Sequence, residues 1–382
     1  MDNVLAIISV AVWIYLLAAR GGFWLARVRD TIHVRPPDKW PAVTVIIPAR
    51  NESECIALSV QSLLRQAYAG PLSVIVVDDD SSDGTATIAA GAAGAPPDRP
   101  LTVMETGGPA QGWTGKLWAL NQGIAAAEKS QPEYLLLTDA DILHAPDTLA
   151  WLVAQSLAGG YVLTSLMAKL RYESFAERSH VPAFVYFFQM LFPFEWVGQR
   201  SSRVAAAAGG CMLVRTDALA SVGGVASIRN ALIDDCSLAA KLKEHGPIWL
   251  GLTDRVRSIR PYQRLSDVQK MISRSAYAQL RNSPLLLAGA VAGMTITFIV
   301  PALLAIFATG LPQYLGLATW LAMALSFVPI LRFYRLSPLW SIVLPVIALL
   351  YLYYTLNSAY KYLRRQGGQW KGRVHVDAPS LQ

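Results

Sequence analysis

Short apolar runs rich in β-branched residues alternate with helix-like patterns in the first part of the chain. The runs 43–47, 72–77 and 134–137 each predict a buried strand. Strands that alternate with helices are typical of α/β proteins with a mainly parallel sheet. We therefore expect a Rossmann-like α/β domain between residues 40 and 282.

Two helices are predicted between these strands. Residues 56–64 carry apolar side chains at helical spacing, and Asn51 or Ser53 is expected to cap that helix. A second helix is expected at 85–90, starting from Ser82 or Asp83.

The apolar pattern changes after residue 283. Residues 284–360 contain only two formal charges, Arg332 and Arg335. Weak breaks divide this stretch into 285–309, 311–330 and 338–359, each long enough for a hydrocarbon core that needs about 20 residues. Residues 4–19 form a further apolar segment, and four arginines follow it at 20, 27, 29 and 35.

This pattern predicts a membrane protein with four parts: an N-terminal anchor at 1–28, the α/β domain at 40–282, a membrane region at 284–360 and a basic tail at 361–382. Basic residues after the first segment favour a cytoplasmic α/β domain. Three full crossings would export the basic tail, so the number of C-terminal crossings, two or three, stays open.

Composition supports the membrane prediction. The chain is 53% hydrophobic and 15% charged, with a net charge of +7 and a mean hydropathy of +0.35. These values exclude a disordered chain. Its three cysteines form no CxxC pair, which excludes a disulfide framework and a zinc site.

Acidic residues follow two of the predicted strands. Asp78 and Asp79 follow the second, and Asp139 and Asp141 follow the third. Ligands bind at the carboxyl ends of strands in open α/β sheets, and paired carboxylates suit a hard divalent ion that also binds phosphate. Solvated or helix-capping loop carboxylates are the alternative.

Five segments, in this order along about 190 residues, resemble the motifs of family 2 inverting glycosyltransferases of the GT-A fold. The segments are Pro-Ala-Arg-Asn-Glu at 48–52, Val-Val-Asp-Asp-Asp-Ser-Ser-Asp-Gly-Thr at 76–85, Gly-Lys-Leu-Trp-Ala-Leu-Asn at 115–121, Thr-Asp-Ala-Asp at 138–141, and Asp-Asp at 234–235. The anchor, the Gly-Trp-Thr-Gly-Lys string at 112–116 and the C-terminal apolar segments resemble hopene-associated glycosyltransferases and, more distantly, ceramide glucosyltransferases.

The resemblance implies a UDP-sugar donor and a role for each matching residue. Donor-binding residues would be Pro48, Arg50, Glu52, Asp78, Asp79, Lys116 and Asp139, with Asp79 reading the uracil edge. Asp141, with Asp139, would bind Mg²⁺ or Mn²⁺ at the diphosphate. The alternative for Lys116 is a snorkelling helix residue.

Asp235 matches the catalytic base, which takes a proton from the acceptor hydroxyl as that hydroxyl attacks the sugar. Asp234 stands where the family usually has glutamate, and capping of the helix 237–244 is the alternative role for this pair. Gly209 and Gly210 resemble the glycine-rich stretch near the acceptor, although a tight turn alone explains them.

Many membrane-bound relatives carry a Gln-x-x-Arg-Trp string, which this sequence lacks. Arg274 is nearest to the position of that arginine and is a candidate for the donor diphosphate, with a basic lipid-headgroup belt as the alternative. The missing tryptophan argues against a polymerising enzyme.

Two other features have alternative interpretations. The aromatic segment 184–197 is either an interfacial helix that guides a lipid acceptor, which we favour, or a buried core helix. His144 is near the metal motif, but a lone histidine is more often structural.

Three other classes of protein fit the sequence less well. A dehalogenase-type phosphotransferase would carry its Asp-x-Asp after an earlier strand, and a transporter would need more crossings with polar residues inside them. A non-catalytic scaffold that binds lipid or nucleotide remains as the alternative.

The resemblance and the apolar segments together imply a glycosyltransferase of the bacterial inner (cytoplasmic) membrane with its α/β domain in the cytoplasm. It would transfer one sugar from a UDP-sugar to a hopanoid-like or sphingolipid-like hydroxyl, and no nucleic-acid partner is expected.

Overall fold

The computed structural model describes residues 2–92 and 98–364, together with the backbone of the short strands Gln369–Trp370 and Arg373–Val374. The chain divides into two compact units. The first, the sheet unit, includes Val28–Arg171 and Trp196–Pro261. The second, the helix unit, includes Met1–Arg27, Tyr172–Glu195 and Tyr262–Gln369.

Eight strands form the main sheet of the sheet unit. Their bounds are β1 Val43–Ala49, β2 Leu72–Asp78, β3 Leu101–Glu105, β4 Tyr134–Leu137, β5 Ile142–His144, β6 Leu163–Lys169, β7 Met212–Arg215 and β8 Ile248–Ser258. The three predicted strands are confirmed as β1, β2 and β4. Every residue of β1, β4 and β6 is buried, which is typical of strands covered on both faces.

The order across the sheet is β3-β2-β1-β4-β7-β6-β8-β5. Strands β1 to β4 are parallel to one another. Strand β7 is antiparallel to both of its neighbours, and β5 is antiparallel to β8. The chain passes from β1 to β2 and β3 on one side and returns to β4 on the other. The gap between β1 and β4 is therefore a switch point, where ligands bind in such sheets.

Helices connect the strands of the sheet unit. Their bounds are Ile56–Leu64, Thr85–Gly91, Gly115–Ala127, Thr148–Gly159, Thr216–Ser221 and Asp234–His245, with 3₁₀ turns at Glu128–Ser130 and Val225–Ile228. A helix that joins two parallel strands starts at the carboxyl edge of the sheet. A Cβ atom on Gly123 would lie 2.5 Å from Cγ2 of Ile46, so glycine there lets the helix Gly115–Ala127 pack directly on β1.

The predicted cap of the helix after β1 is wrong. The helix starts at Ile56, and its N-cap residue, Cys55, makes no side-chain capping bond. Asn51 accepts a hydrogen bond from the backbone N–H of Ser82 instead, at 2.9 Å. The second helix starts at Thr85 with Gly84 as its N-cap residue, so neither Ser82 nor Asp83 is the cap that the sequence suggested, although Asp83 accepts a hydrogen bond from the N–H of Thr85 at 3.1 Å.

The helix unit contains three helices that are long and apolar enough to cross a membrane: Pro284–Phe307, Leu311–Phe333 and Pro338–Leu363. They agree with the three predicted segments. The N-terminal helix Asp2–Ala18 has 17 residues, or about 25 Å at 1.5 Å per residue, which is short of a hydrocarbon core of about 30 Å. The other helices of this unit are Phe175–Leu191, Leu265–Ser273 and Ala276–Gln279.

A proline explains how the N-terminal helix is held. Pro301 has no N–H, so the carbonyl of Thr297, four residues earlier, loses its helical partner. The local backbone winds into a π-turn at Thr295–Ile299. The indole N–H of Trp13 donates to the Thr297 carbonyl at 2.7 Å, and the Ser9 hydroxyl donates to the neighbouring carbonyl of Ile296 at 3.0 Å. These bonds satisfy backbone groups that lipid could not.

The aromatic segment 184–197 is helical within Phe175–Leu191 and Phe194–Gly198. Tyr186 and Val185 are at most 1% exposed. The Tyr186 hydroxyl lies 2.7 Å from the hydroxyl of Ser326 in the helix Leu311–Phe333. This packing favours a buried helix over the interfacial guide that the sequence suggested.

Candidate active site

A lysine joins two carboxylates at the carboxyl edge of the sheet. Thr114 caps the helix Gly115–Ala127 with a hydrogen bond from the N–H of Leu117, which places Lys116 in the first turn. Lys116 Nζ lies 2.8 Å from Oδ1 of Asp139 and 3.1 Å from Oδ2 of Asp234. Burial alone lowers the pKa of Lys116, but the two carboxylates outweigh it and raise that pKa above its usual value. Lys116 is thus an ion-pairing residue of the site and does not snorkel.

Asp139 and Asp141 follow the buried strand β4, and a different cation binds each carboxylate. Burial raises the pKa of Asp139, Lys116 opposes that rise, and the charge of Asp141 adds to it. Asp141 Oδ2 accepts hydrogen bonds from the Ser258 hydroxyl at 2.9 Å and from Nε of Arg260 at 3.0 Å. The two acids therefore share one electrostatic environment, as their spacing predicted.

Arg260 also binds Glu52, the last residue of the 48–52 motif. Nη2 of Arg260 donates to Oε1 of Glu52 at 2.6 Å and to Oε2 at 2.7 Å. Glu52 is 9% exposed and Asp141 is 8% exposed. Arg260 thus connects the loop after β1 with the loop after β4. No motif in the sequence points to Arg260.

Asp235 lies in the first turn of the helix Asp234–His245, and its two oxygens accept different backbone N–H groups. Oδ2 accepts from Gly209 at 2.9 Å, and Oδ1 accepts from Cys236 at 2.7 Å. Burial and then the charge of Asp234 raise the pKa of Asp235 to about 6, although Lys116 and the backbone bonds oppose the rise. A carboxyl group with this pKa is ionised near neutral pH and is a stronger base than an ordinary aspartate.

The two predicted glycines contact different neighbours. A Cβ atom on Gly209 would lie 3.3 Å from Lys116 Nζ and 3.4 Å from Asp235 Oδ2. A Cβ atom on Gly210 would lie 3.1 Å from Cδ1 of Ile142. Gly209 therefore faces the charged site, whereas Gly210 faces the apolar core.

The acidic residues after β2 lie beside the 48–52 motif. Arg50 donates through Nη1 to the backbone carbonyls of Asp79 and, at 3.1 Å, of Asp80. The same atom lies 3.7 Å from the carboxylate of Asp79, whose Oδ1 also accepts from the Thr106 hydroxyl at 3.4 Å. Pro48 pairs with Val77 inside the sheet.

Asp78 differs from Asp79 in one respect. Its Oδ1 accepts a hydrogen bond from the N–H of Ser81 at 2.7 Å. Its Oδ2 is buried without a hydrogen-bond partner among the described residues. A buried acceptor without a partner is costly, and a bound donor group would satisfy it.

A cavity of about 230 Å³ opens on the Glu52 and Arg260 side of this region. Its lining consists of Asn51, Glu52, Ser53, Glu54, Cys55, Asp83, Arg260 and Pro261. The cavity is at the carboxyl end of β1, next to the switch point.

A divalent ion of the Mg²⁺ or Mn²⁺ kind fits the chemistry of Asp139 and Asp141. Each carboxylate uses one oxygen for a cation, and neither Asp139 Oδ2 nor Asp141 Oδ1 is bonded to any residue that the structure describes. Hard oxygen ligands of this kind suit both ions. Within the described part of the chain, no three His, Cys, Asp or Glu side chains come together as a ready-made metal site.

His144 is a structural residue. Its Nε2 lies 3.0 Å from the Thr138 hydroxyl, and that hydroxyl donates to the carbonyl of Gly210 at 2.7 Å. Burial lowers the pKa of His144 to about 3. Arg274 belongs to the helix unit, where it follows the helix Leu265–Ser273. Its role at the donor diphosphate stays a prediction.

Several known proteins resemble this chain over short segments. An N-acetylglucosaminyltransferase of Rhizobium leguminosarum bv. viciae is 36% identical over 116 residues, which cover 29% of this chain and 24% of the relative. A 4,4'-diaponeurosporenoate glycosyltransferase of Staphylococcus aureus strain MRSA252 is 35% identical over 102 residues, which cover 26% and 24%. This chain thus spans about a quarter of the length of these curated relatives.

A match to a solved structure extends over nearly the whole chain. The mannosyltransferase PcManGT from Pyrobaculum calidifontis, in complex with GDP-Man and Mn²⁺, covers 95% of this chain and 99% of its own with a TM-score of 0.61. The sequences are 23% identical, so the match shows the fold alone.

Residues 41–270 match the family model described as Glycosyltransferase like family 2. The matched range covers more than half of the chain and contains every motif and every paired carboxylate of the sheet unit described above. The chain therefore belongs to glycosyltransferase family 2, and its sheet unit has the mixed α/β, Rossmann-like GT-A fold.

Proposed function

We propose that this glycosyltransferase is a membrane-bound, inverting enzyme that transfers one sugar from a UDP-sugar to a lipid hydroxyl. The observation that carries the proposal is the arrangement around Lys116, whose ammonium bridges Asp139 and Asp234 next to Asp235. Lys116, the proposed cation for the donor, and Asp235, the proposed base for the acceptor, thus lie close together at one edge of the sheet.

Asp235 is the proposed catalytic base. An acceptor hydroxyl is a poor nucleophile until a carboxylate within hydrogen-bond reach takes its proton. The N–H groups of Gly209 and Cys236 hold the Asp235 carboxylate in one orientation. The alcohol oxygen attacks the anomeric carbon as its proton passes to Asp235, and the bond to the diphosphate breaks on the opposite face. The anomeric configuration is then inverted.

The residues of the 48–52 and 76–85 motifs are the proposed nucleotide site. Asp79 accepts from the uracil edge, Arg50 holds the Asp79 loop in place through its backbone carbonyls, and Glu52 borders the cavity beside them. The buried Oδ2 of Asp78 supports a ligand donor on this side of the site.

Asp139 and Asp141 are the proposed metal ligands. A bound Mg²⁺ or Mn²⁺ would offset the charge that develops on the leaving diphosphate. Lys116 adds a fixed positive charge beside Asp139. The metal ion and the Lys116 ammonium would therefore both attract the diphosphate.

A lipid acceptor is proposed because of the helix unit. Three helices there are long and apolar enough to cross a membrane. A soluble acceptor would need no such anchorage, whereas a hopanoid-like or sphingolipid-like alcohol stays in the bilayer. The arginines that follow the first apolar segment favour a catalytic unit in the cytoplasm, and a bacterial inner membrane is the proposed location.

The test is a transfer assay with the full chain in detergent or nanodiscs. Radiolabelled UDP-glucose, UDP-N-acetylglucosamine and GDP-mannose are each offered with a bacterial lipid extract, with Mn²⁺ or with chelator. We expect a labelled lipid with one of the UDP-sugars only, and mass spectrometry then identifies both sugar and acceptor. Asp235→Asn should lose transfer, whereas Asp217→Asn, at an exposed acid paired with Arg215, should keep it. Transfer from GDP-mannose alone would refute the UDP assignment, and UDP binding without any transfer would indicate a non-catalytic scaffold.

A further inference from the structure

Arg260 is placed by a strand pairing that no local motif encodes. Strands β5 and β8 are antiparallel, with Ile142 opposite Ser258. The N–H of Ile259 donates to the carbonyl of Asp141 at 2.9 Å. This register brings the residue after Ile259 alongside the Asp141 side chain, where Nε of Arg260 binds Oδ2 at 3.0 Å.

The guanidinium compensates two buried carboxylates. Glu52 and Asp141 are each less than a tenth exposed. Removing carboxylates from water is costly unless a cation or hydrogen-bond donors replace the water. Arg260 supplies both for Glu52 and for Asp141, and its side chain remains 29% exposed at the wall of the cavity. The guanidinium therefore lies where a ligand in that cavity would contact it.

A divalent ion at Asp141 would meet this arginine. Guanidinium has only donors and cannot act as a metal ligand, so it repels an ion that binds the same carboxylate. A diphosphate reverses this preference, because guanidinium N–H groups bind phosphate oxygens as they bind the carboxylates of Glu52 and Asp141. Binding of the metal ion at Asp141 is then disfavoured when the diphosphate is absent and favoured when it is bound.

We infer that Arg260 is a positioning residue that makes divalent-metal binding depend on the nucleoside diphosphate. In this structure it holds Asp141 and Glu52, and on donor binding a phosphate oxygen would replace Asp141 as its partner and leave that carboxylate to the ion. This inference rests on the proposed function for the metal role of Asp141. By linkage, the metal and the diphosphate must then strengthen each other's binding by the same factor.

The experiment measures Mn²⁺ affinity by titration calorimetry and by the paramagnetic resonance signal of free Mn²⁺. The full chain in detergent is titrated alone, with saturating UDP and with saturating GDP. For the unmodified protein we expect the preferred nucleotide to tighten Mn²⁺ binding by about tenfold or more, within the usual range of coupling between sites. Arg260→Gln should bind Mn²⁺ alone about tenfold more tightly and lose most of the effect of nucleotide. Arg260→Lys keeps the charge and should retain weak binding of Mn²⁺ alone.

Arg255→Gln is the matched control. Arg255 also joins two carboxylates of the sheet unit, with Nε 2.9 Å from Asp147 Oδ2 and Nη1 3.0 Å from Asp30 Oδ2, but neither of these carboxylates belongs to a donor motif. Its side chain is 27% exposed, close to the value for Arg260. We expect its removal to leave both Mn²⁺ affinities unchanged.

Two results would overturn the inference. One is a Mn²⁺ affinity of the unmodified protein that does not change with either nucleotide, a measurement that does not require any variant to fold. The other is an Arg260→Gln protein that binds UDP but binds Mn²⁺ alone no more tightly. If Mn²⁺ and nucleotide strengthen each other's binding but no sugar is transferred, only the proposed function is contradicted. If sugar is transferred without that coupling, only the role of Arg260 is contradicted.

Discussion

The pKa of Asp235 leads to a sharp test of its role as the base. Its carboxyl must be ionised to accept a proton, and burial together with Asp234 raises its pKa to about 6. We therefore expect kcat/KM to fall about tenfold per pH unit below pH 6, with the plateau above it. At pH 5 only about a tenth of Asp235 would be ionised, whereas an aspartate with the usual pKa of about 3.9 would be more than 90% ionised.

Substitution of two neighbours should move the pH midpoint of the kcat/KM profile in opposite directions. Asp234 raises the pKa of Asp235 by its like charge, so Asp234→Asn should move the midpoint to lower pH. Lys116 lowers the pKa of Asp235, so Lys116→Gln should move the midpoint to higher pH, whatever each change does to maximal turnover.

The assay is UDP release by the full chain across pH 4.5–8.5, with the donor and lipid that the transfer assay identifies. Asp235→Asn should retain UDP affinity and lose about 10² or more in turnover. Asp217→Asn serves as the control. A midpoint near pH 4, or shifts of the same sign in the two neighbour variants, would refute the electrostatic account of the base.

Three further outcomes follow from the structure. Gly209→Ala should lower turnover, because its Cβ would press on Lys116 and Asp235. Gly210→Ala should instead lower thermal stability, because its Cβ would press on Ile142 and Ala168. The reverse pattern would contradict the assignment of Gly209 to the charged site and of Gly210 to the core. Asp141→Ala should abolish the Mn²⁺-dependent part of UDP affinity, and calorimetry showing an unchanged affinity would exclude the metal role. Trp13→Phe should destabilise the protein by about 1 kcal/mol in a denaturant or thermal titration, because it leaves a backbone carbonyl at the π-turn without its donor; an unchanged midpoint would refute that role of the indole.

The aspartates of the candidate site at the ends of β2 and β4 could be predicted from the sequence, because they directly follow predicted strands. Asp79 and Asp139 each follow a buried apolar run, and the carboxyl ends of parallel strands share one edge of a sheet. Lys116 was identified only through the resemblance to the family motif, because the apolar pattern did not predict the helix Gly115–Ala127 that carries it. The membrane helices were predictable, because the apolar length of each is contained in one continuous segment.

Arg260 could not be found in this way. It lies 208 residues from Glu52 and 119 from Asp141 in the sequence. Its position depends on the pairing of β8 with β5, a strand of three residues that is too short to give a periodic signal. The cap of the helix after β1 was wrong for a related reason, because Asn51 bonds across to Ser82 on the next loop.

The sequence by itself determined the fold class, the family and which carboxylates directly follow the central strands, because hydrophobic periodicity and strand order depend on residues that are close together in the chain. Only the tertiary structure decided which cation neutralises each carboxylate and how strongly Asp235 holds its proton. Those properties depend on distances of about 3 Å between residues far apart in sequence, and at such distances inside a protein electrostatic energies are large and change steeply with position.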